Sequence, residues 1–175
     1  MNLGFDLSRY TYALVTSTTY GQWLPGNERG YVERGKQNIY GTQFAENQPA
    51  LKRFAEEQLK SEPIVLHREQ AEIILKQWQK ESSIRLWTLY VVAIMPNHFH
   101  LAVAADEGTK KDSLLRTFKS RAGFVLNKQY GKRTWWTTSG SVRFCFDEQA
   151  LKTRIEYVRN QRNPLLVWEN ELLMK

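Results

Sequence analysis

Apolar residues along this chain follow two spacings, and the switches between them mark out its elements. Tyr10 to Tyr20 (YTYALVTSTTY) is dense in aromatic and β-branched residues and predicts a strand. The following stretch, Gly21-Gln22-Trp23-Leu24-Pro25-Gly26-Asn27-Glu28-Arg29-Gly30, has the Pro and Gly content of a loop. Residues 36–60 are polar, with a helix expected from Pro49 to Lys60. Between His67 and Glu81, Ala71, Ile74, Leu75 and Trp78 recur at three- and four-residue intervals, the period of an amphipathic helix. Leu86 to Met95 (LWTLYVVAIM) is almost wholly apolar, as a strand covered by protein must be. Pro96-Asn97 turns the chain, and His98 to Ala104 (HFHLAVA) returns as a second strand. From Asp112 to Gln129, Leu114, Leu115, Phe118, Ala122, Val125 and Leu126 make one helical stripe, with Arg116 and Lys119 off it. Gly131 to Gly140 is a loop containing Trp135 and Trp136, and Ser141 to Phe146 (SVRFCF) is a short strand. Asp147 suits the N-cap of a last helix reaching about Gln161, with Pro164 just beyond it. Strand, helix, strand, strand, helix, strand, helix is the order of an α+β fold. The expectation is a ferredoxin-like split βαβ arrangement, with an antiparallel sheet and helices mainly on one face.

Composition narrows the class. The 175 residues suit one domain, 1–175, and 42% apolar content supplies a core that a disordered chain lacks. No run approaches the roughly 18 apolar residues of a membrane span. Met1 to Arg9 includes Asp6 and lacks a cationic start before an apolar block, so no secretory signal is expected. Cys145 is the one cysteine and can form no internal disulfide, which fits a reduced, cytoplasmic setting. The net charge of +7 is concentrated: Lys110 to Arg133 holds eight basic residues and one acid, and the rest of the chain is balanced. Lys110, Lys111, Arg116, Lys119, Arg121 and Lys128 therefore predict a polyanion footprint, although a solvated helix face accounts for such a run equally well.

The candidate chemistry lies on two other elements. His98 and His100 are one strand period apart and project from the same face, so their imidazoles can hold one divalent ion between them. Two structural histidines are the plainer explanation of that pair alone. His67, at the start of a helix and without a partner, reads as a surface residue. On the last helix Leu151, Ile155 and Val158 form the core stripe, and Tyr157 falls about 80° outside it. Gln161, four residues later, stacks one turn above Tyr157, and Arg154 shares that flank. A tyrosine sealing the core edge is again the plainer explanation of that feature alone. A phenol, however, can attack a phosphodiester to form a phosphotyrosine link. With a free pKa near ~10 it is a weak nucleophile at neutral pH, and a divalent cation at the phosphate would assist it. Tyrosine and metal site belong together.

These residues resemble a known family. Met95-Pro96-Asn97-His98-Phe99-His100-Leu101, followed by Tyr157-Val158-Arg159-Asn160-Gln161, resembles the single-tyrosine transposases with a His-hydrophobic-His motif, and among them the REP-associated tyrosine transposases. Thr19 to Gly30 looks like the early loop of that branch, and the similarity spans about residues 10–165. The resemblance implies a ferredoxin-like catalytic domain in which His98, His100 and Gln161 hold Mg²⁺ or Mn²⁺ and Tyr157 is the nucleophile. It further implies hairpin-forming single-stranded DNA as substrate, a 5′-phosphotyrosine intermediate, and a free 3′-hydroxyl that later reverses the link. A homodimer with shared sites is a possible assembly in that family. This chain departs from the branch after the tyrosine, where Asn163-Pro164 falls six and seven residues on, and that leaves Asn160 as an alternative third ligand.

On this reading the basic helix, with Arg154, tracks phosphates, and Trp135, Trp136 or Trp23 stacks unpaired bases, although ordinary packing explains the tryptophans equally well. Two other functions compete. A non-catalytic DNA- or RNA-binding module would use the basic segment and need no metal. A metal-dependent hydrolase acting through bound water is disfavoured, because the metal face shows no obvious carboxylate apart from Glu156.

Overall fold

The computed structural model describes residues 4–26 and 48–173. Its strands are β1 (Tyr10–Thr18), β2 (Thr88–Ile94), β3 (His98–Asp106), β4 (Ser141–Cys145) and β5 (Leu166–Glu169). Its helices are α1 (Pro49–Glu57), α2 (Arg68–Ile84), α3 (Lys111–Tyr130) and α4 (Glu148–Arg159). The strands form one sheet in the order β4-β1-β3-β2-β5, and every pairing is antiparallel. The fold is α+β, as the order of periodicities implies.

Strand alternation sorts the core into two layers. Val15, Val92, Ile94, Phe99, Leu101 and Val103 face α2 and α3, which add Ile74, Trp78, Leu114, Phe118 and Leu126. Tyr12, Leu14, Val91, Ala93, Ala102 and Ala104 face the other way, onto Leu151, Ile155 and Val158 of α4. A register shift between Leu89 and Val91 opposite β3 puts Tyr90 and Val91 on the α4 side together. Two helices therefore share one face and a single helix covers the other. The α4 stripe is the one its periodicity predicts, and the apolar partners that decide its side are the small residues of β2 and β3.

Local signals set the element ends. Asp147 Oδ1 accepts from the Ala150 amide and caps α4. His67 starts α2, its own amide donating to Gln70 Oε1 at 2.9 Å. Gly131, at φ +84°, ends α3 in a conformation open to glycine. Strand β5 escaped the sequence reading, being four residues long and shielded by the Asn163-Pro164 break. Asn163 adopts φ +53°, stops the helical path and turns the chain back to pair with β2. Of the early loop, Gly21 to Gly26 is described; its remainder, Asn27 to Gly30, and the polar residues 36–47 lie outside the described residues. The Thr19 amide donates to the Asn97 carbonyl at 2.9 Å, so this loop leaves the sheet beside the Pro96-Asn97 turn.

Candidate functional site

β3 is the middle strand, and its odd and even positions go to different layers. His98 and His100 continue the row of Ala102 and Ala104 and so lie under α4. The two imidazole centroids are 4.8 Å apart, with the rings at 82°. His100 is 6% exposed, and His98 is half-buried. The Tyr157 ring lies edge-on to His100, with centroids 5.2 Å apart and an angle of 77°. Tyr157 is nevertheless 47% exposed, so its phenol borders solvent rather than the interior. His98, Tyr157, Asn160 and Gln161 line one open groove of about 580 Å³ with Glu156 and Arg162.

Each imidazole is oriented by a neighbour. His98 Nδ1 is 2.6 Å from Asn97 Oδ1, and His100 Nδ1 is 2.8 Å from Thr16 Oγ1 on the adjoining strand. Where both oxygens accept, both rings are Nδ1–H tautomers and Nε2 is left as the lone-pair donor, the usual support of a ligating histidine. Burial, and then the neighbouring His98, lower the His100 pKa to about 3. His100 is therefore a neutral base at physiological pH, the state a metal requires. Gln161 Nε2 donates to the Tyr157 carbonyl at 2.9 Å, which leaves Oε1 as the amide's ligating atom. The paired imidazoles of His98 and His100, with an amide oxygen in reach of the same groove, fit a divalent ion of the Mg²⁺ or Mn²⁺ type. Among the described residues no three His, Cys, Asp or Glu side chains cluster as a metal site by themselves. Asn160, the C-cap residue of α4, borders the same groove, so both candidates for third ligand stand at its rim.

The helix that carries Tyr157 is fixed at its C-terminal end. Arg159 Nε and Nη2 grip the two Glu169 oxygens of β5 at 2.7 and 2.8 Å. This bidentate pair raises the Arg159 pKa and ties the last turn of α4 to the sheet edge. Sequence reasoning missed it because its acid lies on the unrecognised β5. It also missed Arg162; Glu156, the one carboxylate it named for this face, borders the groove.

The other expected DNA contacts are arranged differently. α3 packs on the sheet face opposite α4, so the basic segment and the His–Tyr groove are not neighbours. Lys119 donates to the carbonyls of Thr137, Thr138 and Ser139 and holds that loop closed. Arg121 pairs with the buried Glu81 at 3.0 Å, and Lys111 lies over the Phe144 ring. Arg116 and Lys128 remain exposed, as does Lys110 before the first turn of α3. Arg154 is absent from the groove lining and acts electrostatically on Cys145 of β4, whose thiol burial raises to about 11. The expectation that Trp135 and Trp136 stack on bases is corrected: they are 3% and 7% exposed and belong to the α2–α3 core. Trp23, 43% exposed, keeps an accessible ring.

No family model and no curated protein matches the chain. One solved structure similar to it is described as "Structure of the REP associates tyrosine transposase bound to a REP hairpin". The two share 12% identity, with a TM-score of 0.48, over 85% of this chain and 64% of that one. This chain thus corresponds to less than two thirds of that protein, and a likeness of this extent bears on no individual residue.

Proposed function

We propose that the protein nicks and rejoins single-stranded DNA, with Tyr157 as nucleophile and His98, His100 and Gln161 as holders of Mg²⁺ or Mn²⁺. The observation that carries this reading is the 5.2 Å approach of the half-exposed Tyr157 ring to a buried, neutral His100 whose partner His98 opens into the same groove. An exposed phenol next to paired imidazoles has no packing purpose that an apolar ring would not serve equally. In the forward step the Tyr157 hydroxyl attacks the phosphorus. An Oη–P bond forms, the P–O bond to the 3′ oxygen breaks, the phenol proton leaves and the 3′ oxygen gains one as a hydroxyl. The reverse attack of a 3′-hydroxyl on phosphotyrosine rejoins the strand. A bound divalent ion supplies neutralisation of the phosphate charge. Asn97 and Thr16 hold the imidazoles, and the Arg159–Glu169 pair holds the helix presenting the phenol. Tyr157 and both histidines meet within one chain, so this reading needs no tyrosine from a second copy.

The test is incubation with hairpin-bearing single-stranded DNA and Mn²⁺ or Mg²⁺, followed by denaturing electrophoresis. A DNA adduct that survives SDS is expected from the native chain and not from Tyr157→Phe, which should bind the DNA equally well. An adduct of full yield from the phenylalanine variant would remove Tyr157 from the mechanism. The placement of the basic α3 away from the groove favours, as a second reading, a binding module without catalysis. That reading expects binding that is steeply salt-dependent, insensitive to EDTA and never covalent.

A further inference from the structure

A second groove, of about 750 Å³, runs between α3 and the 133–138 loop. Arg116, Ser120, Phe124 and Asn127 follow one another along its helical wall, and Arg133 stands opposite. The Phe124 ring is 62% exposed on a helix that buries its other phenylalanine, Phe118, completely. Beside it, Gly123 occupies the middle of α3, where glycine is a poor helix former. A Cβ at this position would meet nothing nearer than Trp135 Cδ1 at 4.0 Å, so close packing does not demand the glycine. Its missing side chain deepens the groove next to a bare aromatic ring. Arg116 and Arg133 make no ion pair among the described residues; Arg133 lies over the Trp135 ring at 5.3 Å, and the one acid lining the groove, Asp112, lies about one turn before Arg116 and about three turns from Phe124. A flat, open aromatic in a groove that two guanidinium groups also line is a pattern that takes an unpaired base and its phosphates.

The geometry points to a separate binding site for an unpaired nucleotide of single-stranded DNA, with the base on Phe124 and its phosphates at Arg116 and Arg133. This rests on the reading that single-stranded DNA is the substrate, and adds an anchoring point on the face of the sheet opposite Tyr157. A strand engaging both grooves must pass around a sheet edge, so only long substrates gain from the second groove.

The probe is fluorescence anisotropy of labelled oligothymidylates of graded length, with the full chain in Mg²⁺. Phe124→Ala places a good helix former at an exposed site and should leave the thermal midpoint unchanged. It should weaken binding of a long oligomer by roughly five- to a hundredfold, the range of one lost base stack. The shortest oligomers that reach only Tyr157 should be unaffected. Arg116→Gln should weaken binding and flatten the log K against log salt slope by about 0.7, the value of one phosphate contact on a single strand. Gly123→Leu, which fills the groove without altering charge, should reproduce the Phe124→Ala loss. Unchanged affinity and slope in all three folded variants would overturn the site. So would a concentration-dependent dimer that Phe124→Ala dissolves with no effect on DNA, because the ring would then serve a second copy of the chain. Weakened binding in these variants without any covalent adduct from the native chain would sink the nicking reading and leave this site standing. An adduct from the native chain with Phe124→Ala binding normally would do the reverse.

Discussion

The face of the sheet under α2 and α3 and the face under α4 are filled by different side chains. On the first, Phe99 meets Trp78 at 4.7 Å between ring centroids and Trp136 at 5.2 Å, and Phe118 meets Trp78 at 5.7 Å. These are fully or nearly fully buried rings, whose area removed from water makes this layer the main source of stability. On the second face, the sheet row of Ala102 and Ala104 runs into His100 and His98, and the α4 stripe consists of three aliphatic residues. Small residues let α4 sit close to the sheet, and the row becomes polar where Tyr157 overhangs it. Both faces bury an apolar layer, and the second also leaves a few polar groups in register at the mouth of a groove. Among the described residues the aromatic layer leaves the Trp136 indole N–H without a hydrogen-bond partner, whereas each imidazole on the other face has one.

Four substitutions and one labelling experiment test this contrast. Trp78→Ala removes a fully buried ring and its 2.8 Å indole bond to the Phe118 carbonyl, and should lower unfolding stability by about 3–5 kcal/mol in urea titrations. Tyr157→Phe, compared in the same titration, should move the midpoint hardly at all. Equal losses from the two would mean that both faces carry stability. Thr16→Val keeps strand shape and removes the hydrogen-bond partner of His100 Nδ1. Calorimetric titration should show Mn²⁺ affinity falling by about 10–100-fold, with the fold intact by circular dichroism. Unaltered affinity would mean that Thr16 does not orient the ring. Arg159→Gln releases the end of α4 from Glu169. A loss of less than about 1 kcal/mol is expected, because the pair is partly exposed, together with a several-fold slower adduct formation in single-turnover assays. The smallest effect concerns Cys145, buried on the α4 face with its thiol pushed up to about 11. Alkylation of the folded chain should be slow at pH 8 and rise about tenfold per pH unit towards 11, since the thiolate is the reactive form. Rapid labelling at pH 8 would show that α4 opens readily.

Periodicity located β1, β2, β3, α2, α3 and α4 to within a few residues, because each buries a continuous stripe or row and so writes its period into the chain. It gave no warning of β5, whose four residues are too few to establish a period. The His98–His100 pair and Tyr157 were legible as candidates because strand and helix geometry assign each to a flank of its own element. Their roles in catalysis and metal binding remain proposals. The basic segment was legible as charge, but charge alone did not show that Lys119 is held by loop carbonyls or that Arg121 belongs to Glu81.

Spacings within a few residues were enough to set the α+β order of elements, the apolar stripe of each helix, and the common direction of His98 and His100. Long-range packing set the rest: α4 covers the histidine face while α3 covers the other, Trp135 and Trp136 are core, and Arg159 finds Glu169. Those outcomes depend on which apolar surfaces meet across long stretches of chain, and on which charges then lie within reach. Local periodicity contains no term for either.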